Sequence, residues 1–203
     1  MIKILDSKAP AIEGPVLRVY ELYKESLKKN QKFADAGCLA TYNPRKGKVS
    51  SRFVNIKYIS NNSFIFFSNY NSQKALDINL FNNVALNFFW STLNIQIRIE
   101  GEISKCNDLF SDEHFLQRTD KKNALAISSS QSSIITNFDK VIKNYTNVLN
   151  STINLKKRPS YWGGYLIKPK YIEIWSGEQN RLNKREVFEL DKNKRWISYF
   201  LEP

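Results

Sequence analysis

Four short patterns set residues of related chemistry in order along the chain. Arg52-Phe53-Val54-Asn55-Ile56-Lys57 carries two cations around apolar residues. Phe67-Ser68-Asn69 is followed by Ser72-Gln73-Lys74-Ala75, which puts hydroxyls and a carboxamide near an ammonium. Gln96, within Ile95-Gln96-Ile97-Arg98-Ile99-Glu100-Gly101, is joined by Ser130-Gln131-Ser132-Ser133. The last pattern is Tyr161-Trp162-Gly163-Gly164-Tyr165, then Glu173-Ile174-Trp175-Ser176-Gly177 and Asn180-Arg181-Leu182-Asn183-Lys184-Arg185. Arginine binds phosphate bidentately, and lysine acts on it as a point charge. Carboxamides both donate and accept, which suits the polar edge of a heterocycle. With seven glycines the chain has neither a GxGxxG nor a Walker loop, so side chains must hold any phosphate. Taken singly, each Gln or Ser is an ordinary strand or loop residue, Trp175 is core material and Arg52 is a surface cation.

Composition agrees with an anionic ligand. The 203 residues carry 31 Lys and Arg against 19 Asp and Glu, a net charge of +12. Such an excess attracts nucleic acid, anionic lipid or small phosphorylated molecules. The cations are spread out rather than blocked, so nucleic-acid binding is the secondary reading. With 42% hydrophobic residues the chain is globular, and its length suits a single domain, 1–203. No apolar run approaches the roughly 18 residues of a membrane span. Met1–Pro15 mixes acidic and basic residues among the apolar ones, unlike a secretory leader. A cytoplasmic location is expected. Cys38 and Cys106 have no zinc spacing, and Cys38 reads as a buried small hydrophobe.

These residues need elements to position them. Val16, Tyr20, Tyr23 and Leu27 predict a helix over about 15–29, with Pro15 in its first turn. Strands are expected at 38–42, 49–60 and 64–67, with a turn at 43–47. A short helix covers 72–80, with Asn71 or Ser72 as its cap. A strand follows at 84–90. In Ile95–Ile103 the isoleucines share one face and Gln96, Arg98, Glu100 and Glu102 the other, with a bulge or bend at Gly101. Ser111 is read as capping a helix, and another helix is read over 133–149. Residues 150–159 read as a loop, and the chain closes with strands at 165–175, 186–190 and 196–201. Strands in short neighbouring pairs favour an antiparallel barrel with flanking helices over a doubly wound sheet.

In order and spacing, the four patterns resemble the pyridoxamine 5'-phosphate oxidase family over about residues 37–203. The resemblance implies an FMN-binding split barrel, an antiparallel Greek-key β-barrel, mainly β with flanking helices. It implies a homodimer with two FMN molecules in clefts between the subunits. Arg52 and Lys74 then belong at the FMN phosphate with Ser68 and Ser132, and Phe53, Val54 and Lys57 of the same segment are expected to bind the cofactor as well. Gln96, Gln131, Trp175 and Arg185 complete the flavin site. Gln73 stands where the family commonly has Arg, and Phe67 matches a Tyr. No metal is implied.

The substrate side departs further. Lys57 and Arg118 match two of the family's substrate-phosphate residues, while His114 falls on a Tyr and Lys122 on a Ser. Arg181 matches the Arg that meets the substrate ring, whereas Asn183 replaces a His. The family reaction moves hydride from C4' of pyridoxamine or pyridoxine 5'-phosphate to FMN. Oxygen is the acceptor, and the products are peroxide and pyridoxal 5'-phosphate. Two alternatives stay open: an FMN oxidase of another substrate, as in phenazine biosynthesis, and a non-catalytic flavin or pyridoxal-phosphate binding protein.

Overall fold

A computed structural model describes residues 1–5 and 12–203; residues 6–11, part of the stretch read above as no leader, lie outside the described residues. Among the described residues ten strands share one sheet. They are β1 (Lys3–Ile4), β2 (Ala36–Asn43), β3 (Lys48–Asn55), β4 (Tyr58–Ser60), β5 (Ser63–Asn69), β6 (Asn83–Trp90), β7 (Ile95–Lys105), β8 (Trp162–Ser176), β9 (Lys184–Leu190) and β10 (Trp196–Leu201). The hydrogen-bonded order is β1-β4-β5-β8-β7-β6-β2-β3, with β9 on β8 and β10 on β9. All pairs are antiparallel except β1 with β4. The helices are α1 (Gly14–Lys28), α2 (Gln73–Leu80), α3 (Asp108–Leu116), α4 (Asp120–Ser128) and α5 (Asp139–Leu149).

Alternation builds the core. Ile97, Ile99 and Ile103 of β7 and Val84, Leu86, Phe88 and Trp90 of β6 turn inward, and α1 adds Val16, Val19, Leu22 and Tyr23. Strand β8 is long enough to serve both halves. Its first residues pair with β5 and its last with β9, while β7 runs along nearly all of it. The bend expected at Gly101 is real, but the extra residue is Lys170 on β8, because Glu100 faces Tyr171 and Gly101 faces Pro169. A proline fits such a bulge since it has no N–H to leave unpaired. A β-carbon on Gly101 would strike the Lys168 carbonyl.

Several expectations need correction. The stretch 49–60 is two strands, because the chain leaves β2 after Asn55 and joins β5 from Tyr58 onward. At the crossing, Ile56 N–H binds Asp35 O and Lys57 N–H binds Ile65 O. The ladder is left open where β3 lies against β5 without pairing. That seam splits the barrel. Trp162-Gly163-Gly164 lies inside β8, which begins at Trp162 rather than at residue 165: Gly163 and Gly164 take bare backbone positions that Tyr70, Phe67 and Cys106 crowd. Asn107, not Ser111, caps α3 by accepting from Phe110 N–H, and Ser111 is buried inside the helix. The helix read over 133–149 begins only at Asp139, and α4 was not foreseen, its polar face masking any period. Cys38 is half-buried, since it points to the outer face of β2.

Candidate functional site

A cleft of about 420 Å³ opens at the seam. It is lined by Arg52, Phe53, Val54 and Asn55 of β3, Phe67 and Ser68 of β5, Gln73 and Lys74 of α2, and the loop residues Gln131 and Ser132. The first two sequence patterns and part of the third therefore converge. A wider groove of about 790 Å³ lies elsewhere, between Tyr42, Val49, Glu100, Lys168 and Glu189, and mixes charges of both signs. Size alone does not select a site here; the charge of the lining does.

Among the described residues no carboxylate lines the seam cleft. Lys74 is buried, and its ammonium donates to Ser68 Oγ at 2.9 Å, Ser72 Oγ at 3.0 Å and Gln131 Oε1 at 3.0 Å. All three acceptors are neutral. Burial, and then the charge of Arg52, push the Lys74 amine down to about 8. Arg52 donates from Nη1 to Thr41 Oγ1 at 2.8 Å and to Leu39 O at 3.3 Å. Burial lowers its pKa as well, opposed by the carboxylate of Asp77. Two part-desolvated cations side by side favour an anion between them. Gln73 is turned aside, donating to Asp77 Oδ1 at 2.9 Å.

Gln96, Trp175 and Arg185 form one row across β7, β8 and β9. Arg52 belongs to a different row, through Leu39, Leu86, Ile99 and Ile172. Odd spacing from Gln96 to Ile99 and from Ile172 to Trp175, with no bulge between, puts the two rows on opposite faces of the sheet. Glu173 is 2% exposed and holds the outer row in shape. It accepts from Arg185 Nε at 2.8 Å, Arg98 Nη1 at 2.7 Å and Tyr171 Oη at 2.9 Å. Burial alone would raise its pKa, but the bonds from Arg185 and Tyr171 hold it below the usual range.

A third cluster surrounds His114. Its ring stacks on Phe67, and its Nδ1 lies 2.9 Å from Tyr58 Oη. Burial, then the charges of Arg118, Lys57, Lys3 and Lys122, push the imidazole down to about 4. Lys57, expected at the cofactor as well, does not line the seam cleft; it is paired to Asp35 at 3.0 Å and bears on His114. The Arg118 guanidinium lies 4.6 Å from the Trp162 ring centroid and donates to Asn123 Oδ1 at 2.9 Å. Lys122 joins through its backbone, whose carbonyl accepts from Arg118 Nη2 at 2.9 Å. Tyr58 and Lys3 were missed by sequence reasoning: an unbroken strand over 49–60 hid the crossing that turns Tyr58 toward His114. Arg181 and Asn183 sit apart on an exposed turn after β8, where Asn183 Oδ1 accepts from Glu178 N–H at 3.2 Å. Arg181 has a positive φ of 62°. Among the described residues no cluster of three or more His, Cys, Asp or Glu could hold a metal, and no helix is long and apolar enough to cross a membrane.

An open-seamed barrel with cations at the seam defines a class, and its fold is that of the FMN-binding split barrels. The structure matches a PhzG from Burkholderia lata, solved in complex with tetrahydrophenazine-1-carboxylic acid, at a TM-score of 0.88. That match covers 98% of this chain and all of the other at 22% identity. A pyridoxamine 5'-phosphate oxidase-related, FMN binding protein from Nostoc punctiforme superposes at a TM-score of 0.77 and 14% identity, covering 95% of this chain and all of its own. In sequence, residues 24–148 match the family model described as pyridoxamine 5'-phosphate oxidase, and 162–203 match the pyridoxine 5'-phosphate oxidase C-terminal dimerisation region. A relative named pyridoxine/pyridoxamine 5'-phosphate oxidase in Cytophaga hutchinsonii is 37% identical over 201 residues, 98% of this chain and 93% of its own. One of the same name from Janthinobacterium sp. is 32% identical over 189 residues, 93% of this chain and 89% of its own. The chain belongs to the pyridoxamine 5'-phosphate oxidase family, whose members of this kind are oxidoreductases.

Proposed function

We propose that this chain is an FMN-dependent oxidase of pyridoxamine or pyridoxine 5'-phosphate, working as a homodimer with one flavin in each of two clefts between subunits. The observation that carries this reading is the buried Lys74 ammonium, bonded only to neutral acceptors, beside the half-buried Arg52 at the seam. The residues fit the group. Arg52 and Lys74 hold its phosphate with the hydroxyls of Ser68 and Ser132, and the carboxamide of Gln131 turns with them. Phe53, Val54 and Phe67 supply apolar wall, while Gln73, tied to Asp77, contributes no charge. Gln96, Trp175 and Arg185 face away from their own cleft, so they serve the cleft of a second copy through the dimerisation region. When bound, FMN supplies the two-electron chemistry that oxidises the substrate at C4' and passes electrons to oxygen, giving peroxide.

The cations around His114 receive the substrate phosphate: the charges of Lys57, Arg118 and Lys122 each bear on His114, and the neutral imidazole offers a hydrogen bond instead of charge. Arg181 orients the substrate ring, and Asn183 holds its turn without a titrating group, so its part is positioning and not proton transfer. A second reading, an FMN oxidase of another substrate, is favoured by His114 and Asn183 themselves. The stacked imidazole narrows the space next to Phe67.

The deciding experiment is anaerobic reduction of the bound flavin by a panel of phosphorylated and unphosphorylated substrates, followed by peroxide measurement in air. Bleaching by pyridoxamine 5'-phosphate and not by pyridoxamine supports the first reading. Bleaching only by other compounds supports the second. A colourless protein that takes up no FMN would sink both.

A further inference from the structure

Behind the cleft lies a relay that ends on a buried carboxylate. Asp77 of α2 is 1% exposed. It accepts from Thr41 Oγ1 at 3.0 Å, Asn43 Nδ2 at 2.8 Å and Gln73 Nε2 at 2.9 Å. Thr41 has one hydroxyl proton. Its other acceptor, Ser50 O, lies at 3.5 Å, so the proton goes to Asp77. The same oxygen is then an acceptor for Arg52 Nη1 at 2.8 Å. The bonds therefore run one way, from Arg52 to Thr41 to Asp77, and each involves a charged partner, which makes it shorter and stronger than a neutral bond. Among the described residues the bonds from Arg52 use Nη1 alone and leave Nη2 and Nε for a ligand.

We propose that Asp77 is a positioning residue for phosphate capture: acting through the Thr41 hydroxyl, it fixes the Arg52 guanidinium at the seam and thereby sets the preference for a phosphomonoester ligand over its unphosphorylated form. This rests on the flavin reading above and deepens it. Asp77 cannot bind the anion, and it weakens the field of Arg52 by its own charge. What it supplies is orientation. A long side chain otherwise loses rotamer freedom when it captures a ligand, and a fork fixed beforehand has already lost it. The same carboxylate holds Gln73 aside, so the cradle keeps two cations and depends the more on the aim of each.

The test compares FMN with riboflavin on the purified full chain, by quenching of flavin fluorescence. Thr41→Val, which removes the relay with little change in volume, should weaken FMN binding by about tenfold, the scale of one lost charge-assisted hydrogen bond, and riboflavin binding by less than about twofold. Thr41→Ser keeps the hydroxyl and should restore the FMN preference. Asp77→Asn should lower the FMN-to-riboflavin ratio in the native background and fail to lower it in the Thr41→Val background. Equal losses for both flavins, no loss at all, or the same effect of Asp77→Asn in both backgrounds would overturn the relay. Inorganic phosphate, scored by the shift in Tm, is a probe independent of flavin. If the native chain binds phosphate but not FMN, the flavin reading falls, and the loss or survival of the phosphate shift in Thr41→Val still decides the relay.

Discussion

Phe67 and His114 lie face to face, with ring centroids 3.6 Å apart and planes 9° from parallel. A charged imidazole would have to be desolvated in that stack with Lys57 and Arg118 close by, which is why its pKa falls to about 4. The sign for stability follows. Between about 6.5 and 4 the unfolded chain binds a proton at His114 that the folded chain does not, so the contribution of His114 to stability is lost as pH falls through that window and is constant above it. In His114→Gln this loss disappears. The difference in Tm between the two proteins should move by several °C between pH 7 and pH 4.5. Thermal unfolding across that range checks it.

Lys74 gives a second pH dependence, in binding. An ammonium that titrates near 8 is lost as pH rises, and a phosphate at the seam prefers the charged form. FMN affinity should therefore fall from pH 7 to pH 9 while riboflavin affinity stays nearly level. Lys74→Met should abolish the pH trend and cost FMN about 10–100-fold, the scale of hydrogen bonds to a charged group. Flavin titrations at the two pH values provide the readout.

The opposite facing of Arg52 and Arg185 predicts complementation. Arg52→Ala and Arg185→Ala chains should each purify with little flavin. Co-expressed under different tags and captured as the mixed dimer, they should carry about one flavin per pair of chains, because one of the two shared clefts is then intact. A mixed dimer as empty as its parents would show that one chain supplies both rows.

Gly101 offers a test of the fold. Its α-carbon faces the Lys168 carbonyl at the β8 bulge, where backbone cannot yield as a side-chain tip can. Gly101→Ala should destabilise the protein by about 1–3 kcal/mol in urea unfolding. Gly47, in an open turn with positive φ, meets no neighbour, and Gly47→Ala should cost less, about 1 kcal/mol, from the backbone alone.

Much of this architecture was legible in the chain. The isoleucines of β7 alternate cleanly, and Arg52, Ser68, Lys74 and Gln131 meet as their patterns imply. The crossing at Ile56-Lys57 was not legible, because Ile56 and Tyr58 are both buried and continue the look of one strand. Nor was the division of Gln96, Trp175 and Arg185 from Arg52: facing depends on pairing partners far apart in sequence. Asp77 escaped notice since a lone acid in a helix resembles solvent-facing charge; only the fold brings Thr41 and Asn43 of β2 over it.

The open seam between β3 and β5 has one more consequence. Along most of the barrel each strand is braced by its neighbour's backbone, but there the bracing is missing, and the cations stand in the gap. An anion seated between Arg52 on one side and Lys74 with Ser68 on the other becomes the rung the ladder lacks. Occupancy is then part of the scaffold's own mechanical closure, and amides on both lips of the seam should slow their exchange with solvent together when the ligand arrives.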